Sequence, residues 1–238
     1  MKSFVESFLE LIYPEKNICC VCGVYDEIIG EKYICVDCYA KIKKVTPPCC
    51  VKCSKPMDLG LNVDICKDCA GEEKHFETSK SPFEYDGLIK KCIYDFKYYN
   101  KPYFYRFFGS SLISYMNENN YNSFDFILSV PLHRSKMIKR GYNQSELLAK
   151  YIAGKSNIPY VNALKRTKKT SKQSSKSKSE RQKNLKNAFK VKQSSQKIKN
   201  SSVLLVDDVY TTGSTADECS KVLLNFGVEK VFVITIAR

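Results

Sequence analysis

The chain has 238 residues, 43% hydrophobic and 27% charged, a balance that suits a soluble globular protein built as one large domain or a domain plus a small module. No apolar run approaches the ~18 residues of a membrane helix, so no membrane insertion is expected. The net charge of +14 suggests a nucleic-acid partner until it is localised: Lys165 to Lys199 holds 14 Lys or Arg against one acid, Glu180, leaving about +1 for everything else.

At the N-terminus Phe4, Val5, Phe8, Leu9 and Ile12 recur at helical spacing around Glu6 and Glu10. This is the pattern of a short amphipathic helix. It has neither the basic start nor the small-residue cleavage site of a secretory signal, so a cytoplasmic protein is expected.

Ten of the 12 cysteines then fall between residues 19 and 69, and eight of them form C-x-x-C pairs: Cys19/Cys22, Cys35/Cys38, Cys50/Cys53 and Cys66/Cys69. Twelve residues separate Cys22 from Cys35, and twelve separate Cys53 from Cys66, so the unit is repeated. Each C-x-x-C turn places two thiolates on one metal, and two turns complete a tetrahedral sulfur site. A disulfide framework would require a secreted chain, and a redox C-x-x-C is ordinarily single. Structural zinc, one or two ions, is the expectation. Cys20 and Cys49 leave the register open by one residue, and a cross-braced pairing stays open as well. Cys92 and Cys219 lie in helical patterns and read as buried apolar residues.

From Phe83 the composition changes. Phe83–Tyr85 reads as a short strand, Asp86-Gly87 as a turn, and Leu88, Ile89, Cys92, Ile93 and Phe96 as one face of a helix ending near Lys97-Tyr98-Tyr99. A second helix follows Pro102, with Phe104, Phe107, Phe108, Leu112 and Tyr115 read as core. Asp125–Val130 is a buried strand closed by Pro131, Leu132, His133 and Arg134. Arg140 to Gln144 precede a helix from Ser145, where helix N–H groups could meet an anion. Val161–Leu164 reads as a further short strand.

Lys165 to Gln182 contains no large apolar residue and is expected to be a mobile basic loop. It is either a solvated linker or a flap over a polyanion. Order resumes with Leu185, Ala188, Phe189 and Val191.

The last stretch is the most informative. Val203–Val206 is a buried strand, Asp207 and Asp208 stand at its carboxyl end, and Thr211-Thr212-Gly213-Ser214-Thr215 leads into a helix that stops at Gly227. A strand Val231–Ile236 completes a βαβ unit, which implies parallel pairing. Backbone N–H groups and hydroxyls over a helix N-terminus cradle a monophosphate, and paired acids suit vicinal hydroxyls or Mg²⁺. A phosphate beside a diol describes a ribose 5-phosphate. A response-regulator receiver, whose acids come early in the chain, and a strand end with solvated acids are the competing readings.

The stretch Val203–Thr215 resembles the phosphoribosyl diphosphate (PRPP) signature of type I phosphoribosyltransferases. The wider arrangement resembles the ComF family, known for a competence-associated member required for natural transformation. The paired zinc units, Val130-Pro-Leu-His-Arg134, Lys139-Arg-Gly-Tyr-Asn-Gln-Ser145 and Arg181-Gln-Lys-Asn-Leu-Lys-Asn-Ala-Phe189 occur in family order. Tyr142 stands where Phe is commoner.

The resemblance implies an α/β fold, a type I phosphoribosyltransferase-like parallel sheet flanked by helices over 79–238, with an N-terminal helix and double zinc ribbon over 1–78 and a mobile loop over 165–184. It implies that Asp207 and Asp208 hold the ribose hydroxyls, directly or through Mg²⁺, and that Thr211, Thr212, Gly213, Ser214 and Thr215 bind the 5′-phosphate. Pro131, Leu132 and Arg134 would then meet the pyrophosphate, with Arg181 closing from the loop. The partners implied are PRPP, single-stranded DNA and DNA-uptake proteins. Two functions follow: a PRPP-binding protein of DNA uptake, or an active Mg²⁺-dependent, pyrophosphate-releasing transferase whose acceptor the residues do not reveal.

Overall fold

The computed structural model describes residues 16–58, 63–168 and 185–238. The expected N-terminal helix, Arg181 and most of the basic loop lie outside the described residues.

Four parallel strands form the main sheet in the order β1-β6-β5-β2: β1 (Ser79–Lys80), β2 (Phe126–Ser129), β5 (Ser202–Val209) and β6 (Lys230–Ala237). Tyr160 extends the sheet beyond β2 by a parallel bridge to Ile127. A separate antiparallel pair, β3 (Leu164–Arg166) and β4 (Phe189–Val191), flanks the basic segment. β5 is central and apolar on both faces because both are covered: Leu204 and Val206 enter one core, Val203 and Leu205 the other.

Helices α1 (Val36–Ala40) and α2 (Lys67–Ala70) belong to the cysteine units. Helices α3 (Gly87–Tyr98), α4 (Phe104–Glu118) and α6 (Gln144–Ser156) bury Ile93, Phe96, Phe107, Phe108, Leu112 and Leu148 against the first face of the sheet. Helix α7 (Ser214–Phe226) covers the other face through Ala216, Cys219 and Leu223. The aromatics after Pro102 are therefore core, as their spacing indicates, and Cys92 and Cys219 are buried.

Three elements differ from the sequence reading. The strand expected at Val161–Leu164 is Leu164–Arg166, because its partner is Phe189–Val191, so Lys165 and Arg166 are ladder residues and not part of the expected mobile loop. The edge strand is Ser79–Lys80, and Phe83 meets the sheet only as a single bridge to Ala237. Pro82 has no N–H to give to a ladder, so pairing cannot run unbroken through it. Between His133 and Gly141 a short helix α5 (Arg134–Arg140) replaces the expected loop. His133 caps it, its ring nitrogen accepting from the Ser135 N–H at 3.2 Å.

The cysteine units do not stand apart from the sheet. The first contributes Ile29, Ile34 and Ile42 to the same core as Phe83 and Phe107, and Tyr39 meets the Phe83 ring edge-on at 6.3 Å. The second contributes Cys50, Cys53, Cys66 and Phe76 to the core on the opposite face. Its backbone is bonded to the sheet edge, with Ser79 N–H donating to Lys52 O at 2.7 Å.

Candidate functional site

The sulfur atoms fall into two sets, Cys19/Cys22/Cys35/Cys38 and Cys50/Cys53/Cys66/Cys69, each with all four within 4.8 Å of one another. Neighbouring units are paired in sequence, not cross-braced. The 3.7 Å Cys22–Cys35 and 3.6 Å Cys53–Cys66 separations match the edge of a tetrahedron with metal–sulfur bonds of about 2.3 Å, which is about 3.8 Å. Burial opposes ionisation of Cys19, but N–H groups of Cys22, Cys35 and Val21 outweigh it and bring the thiol down to about 7. Cys50 is held at about 7 in the same way by the N–H groups of Cys66, Cys53 and Lys52. Two sets of closed sulfur ligands fit structural zinc. Cys20 and Cys49 belong to neither set.

β5 carries Asp207 and Asp208 within its last residues, so the acids are held by the ladder rather than by a loop. Asp207 accepts from Ser145 Oγ and from the Asp208 N–H, both at 2.9 Å. Burial, and after it the charge of Asp208, pushes Asp207 up to about 7. Asp208 pairs with the Lys97 ammonium at 2.7 Å, where both side chains are only 16% exposed. Burial acts against that ammonium, and the charges of Asp208 and Asp207 more than compensate, raising the Lys97 pKa.

Lys97 is the first of three residues whose place in the site the sequence reading missed. It stands one position after the buried Phe96 at the end of α3, where a lysine ordinarily serves only the helix dipole. Lys136, part-buried on α5, also has Asp208 within electrostatic reach. Burial and the nearby charges of Arg166 and Arg140 lower its pKa. Arg166 is likewise lowered, by burial. Lys97, Lys136 and Arg166 thus form a cationic group beside the acid pair.

After the acids, Tyr210 turns inward at 5% exposure and Thr211 to Thr215 run into α7. Gly213, with φ of 75°, is the N-cap, and a Cβ built there would stand 2.2 Å from the Tyr210 hydroxyl. Only glycine fits that backbone and that contact. Thr212 and Ser214 hydroxyls meet at 2.9 Å. The second cysteine unit forms the back of this loop: Cys53, Cys69, Lys74 and Arg238 line a cavity with Tyr210, Thr211 and Thr212. The Arg238 guanidinium donates to the Cys53 carbonyl and thiol and stacks over Tyr210 at 5.1 Å.

Pro131, Leu132 and Arg134 follow β2 on the same side of the sheet, since the Val130 N–H donates to Val206 O at 3.0 Å, just before the acids. Arg134 is exposed on the first turn of α5.

Within the Arg140–Ser145 stretch, Tyr142 to Ser145 are a scaffold rather than an open anion cradle. Tyr142 OH and Gln144 Nε2 both donate to the Phe96 carbonyl, at 2.6 and 3.2 Å, satisfying a free C-terminal carbonyl of α3. Asn143 Nδ2 donates to Val130 O at 3.0 Å, while its Oδ1 takes the Ser145 N–H at the start of α6. Ser145 completes the set on Asp207.

Two domain families match the chain: "Double zinc ribbon domain" over residues 8–70 and "Phosphoribosyl transferase domain" over residues 139–238. Competence protein F of Haemophilus influenzae is 32% identical over 215 residues, 88% of this chain and 92% of that protein. The chain belongs to the ComF family. Competence protein ComFC of Bacillus subtilis is 27% identical over 83% of this chain and 80% of its own length. DNA utilization protein YhgH of Escherichia coli is 36% identical over a shorter match, 48% of this chain and 49% of the relative. With the family come the fold expected of it and the double zinc ribbon, both of which the sheet and the two cysteine sets display.

Proposed function

We propose that this ComF chain binds PRPP at the carboxyl ends of β5 and β2 and acts in the handling of single-stranded DNA during competence, from the cytoplasmic side. The observation that carries the ligand is the order along β5: an ordered acid pair, then a glycine-anchored hydroxyl loop at the start of α7. In this reading Asp207 and Asp208 take the ribose hydroxyls, Thr211 to Thr215 take the 5′-phosphate, and Lys97, Lys136 and Arg166 serve the pyrophosphate together with Arg134, a role Arg181 would share. Carboxylate oxygens are the hard donors Mg²⁺ requires, so Asp207 and Asp208 would hold it alongside the ligand's own oxygens. When bound, Mg²⁺ supplies charge neutralisation at the pyrophosphate. DNA handling rests on the names of the relatives and on the basic segment 165–199. We take the boundary between the ribbon region and the transferase-like region at 78/79.

Calorimetric titration of PRPP with Mg²⁺ tests the ligand. The wild type should bind and Asp207→Asn/Asp208→Asn should not; equal binding by both would place PRPP elsewhere or nowhere on the chain. Retardation of single-stranded DNA at ~50 mM salt, lost as salt rises, tests the partner.

The cationic group beside the acids favours a second reading, an active transferase, because positive charge there stabilises a leaving pyrophosphate. Pyrophosphate release from PRPP, screened across nucleobases and DNA and abolished in the same double variant, would establish it. No release by the wild type would remove it.

A further inference from the structure

Three tyrosines at the C-terminal end of α3, two on its last turns and Tyr99 as its C-cap, are exposed together. Tyr94, Tyr98 and Tyr99 show 51%, 57% and 63% of their surface, although the same helix buries Ile89, Cys92, Ile93 and Phe96 completely or nearly so. The core therefore makes no use of these rings. They touch one another, Tyr94 to Tyr98 at 4.8 Å and Tyr94 to Tyr99 at 5.8 Å between centroids. The Arg140 guanidinium lies over Tyr98 at 4.8 Å and is itself held by Gln144 Oε1 at 3.0 Å. Because Tyr142 and Gln144 fasten the end of α3 through the Phe96 carbonyl, the rings stand on fixed backbone.

The charges around this face have one sign. Helices α3 and α5 together carry seven basic residues and one acid, Asp95, and Asp95 is already paired with Lys101 at 2.9 Å. Lys97 is taken up by Asp208, which still leaves basic residues in excess, and exposed rings on a rigid edge bordered by such cations match the chemistry of a chain of flat bases joined by phosphates. An apolar protein partner would leave the cations without a counterpart. Met137 and Ile138, 38% and 76% exposed on α5, widen the same region with apolar surface.

We propose that Tyr94, Tyr98 and Tyr99 form a stacking platform for unpaired bases of single-stranded DNA, with Arg140 and the neighbouring lysines on its phosphates. The proposal deepens the DNA-handling reading above and rests on it. It adds a contact surface distinct from the zinc ribbons and the basic loop. It also places the strand next to the acid pair, because Lys97, which holds Asp208, lies between Phe96 and Tyr98 in the chain.

Stacking and phosphate contacts differ in their response to salt, and this separates them. Fluorescence anisotropy of a labelled oligothymidylate of about 20 nucleotides is followed across a salt series. Tyr94→Ala/Tyr98→Ala/Tyr99→Ala should weaken binding about tenfold or more at every salt concentration, with the slope against salt unchanged. Equal affinity of the wild type and this variant overturns the platform and leaves the DNA reading standing. No binding by the wild type overturns both.

The chain contains no tryptophan, so Tyr98→Trp provides a single reporter at an exposed position. Its emission should be quenched by oligothymidylate, in step with the anisotropy, and not by an abasic oligonucleotide of the same length. Unchanged emission while DNA binds overturns the proposal. So does sedimentation in which the triple alanine variant dissociates a dimer without altering DNA affinity, since the face would then serve a second copy of the chain.

Discussion

At Asp207 and Asp208 the neighbouring side chains decide what two adjacent carboxylates can do. Lys97 neutralises Asp208 inside a largely dry site, while Asp207 keeps its proton up to about 7 through burial and the neighbouring charge. Removing one partner of a buried pair costs more than the pair is worth, because the other charge stays behind. Lys97→Met should therefore destabilise the protein by about 3 kcal/mol in urea unfolding, and Lys97→Met/Asp208→Asn should recover much of that. An additive double variant would mean the two side chains do not interact.

The pH response has a definite sign. The folded pKa of Asp207 lies above its unfolded value, so the folded state binds the extra proton. The stability linked to that proton is whole below about 4 and is lost as pH rises through about 7. Asn mimics the protonated acid and keeps its acceptor for Ser145. Asp207→Asn should thus raise the Tm of the ligand-free protein more at pH 8 than at pH 5. A gain independent of pH would show that Asp207 ionises normally in the fold.

At the scale of elements, the strand β5, the turn and α7 were legible because each has a local signature: a short apolar run, two acids, a glycine at positive φ. Gly213→Ala should abolish PRPP binding and lower stability by more than about 1 kcal/mol, since a left-handed backbone and the Tyr210 ring both oppose a Cβ. Calorimetry and thermal melting read the two effects. Lys97, Lys136 and Arg166 were not legible, because Lys97 ends a helix like an ordinary surface lysine, while Lys136 and Arg166 fall where the sequence reads as a loop and a mobile basic segment. Only the tertiary approach of α3, α5 and β3 brings them to the acids. The Arg140–Ser145 stretch misled in the opposite direction. It carries the marks of an anion site at a helix start, yet Tyr142, Asn143, Gln144 and Ser145 are committed to Phe96, Val130 and Asp207.

The second cysteine set backs the phosphate loop, whereas the first lies across the sheet, so the two should differ in function. Cys66→Ser, by loosening the Cys53–Arg238–Tyr210 contacts, should weaken PRPP binding several-fold more than Cys35→Ser does. Equal losses from the two variants, measured at matched zinc content, would mean the loop does not feel the second centre.

Across the whole molecule, the repeat of two ribbons suggested a module strung ahead of a separate domain. The structure instead puts one ribbon on each face of the sheet. The first shares a core with α3 and α4 and adds an ion pair from Glu31 to Lys155 of α6 at 3.1 Å. The second shares the α7 core and bonds to the sheet edge at Ser79 and Arg238. Cysteine spacing could not show this, since it reports the metal's demands and says nothing of which apolar surface lies behind the knuckles. The consequence concerns stability. Zinc ligation contributes folding free energy to the ribbons, and shared cores pass it to the sheet. Residues 79–238 alone would expose Phe83, which Tyr39 meets, on one face and the Phe76 pocket on the other. That fragment should show no cooperative thermal transition and should bind an apolar dye, and chelating zinc from the full chain should lower its single Tm rather than melt a separate unit. A cooperative, dye-free melt of the fragment would instead make the ribbons appendages.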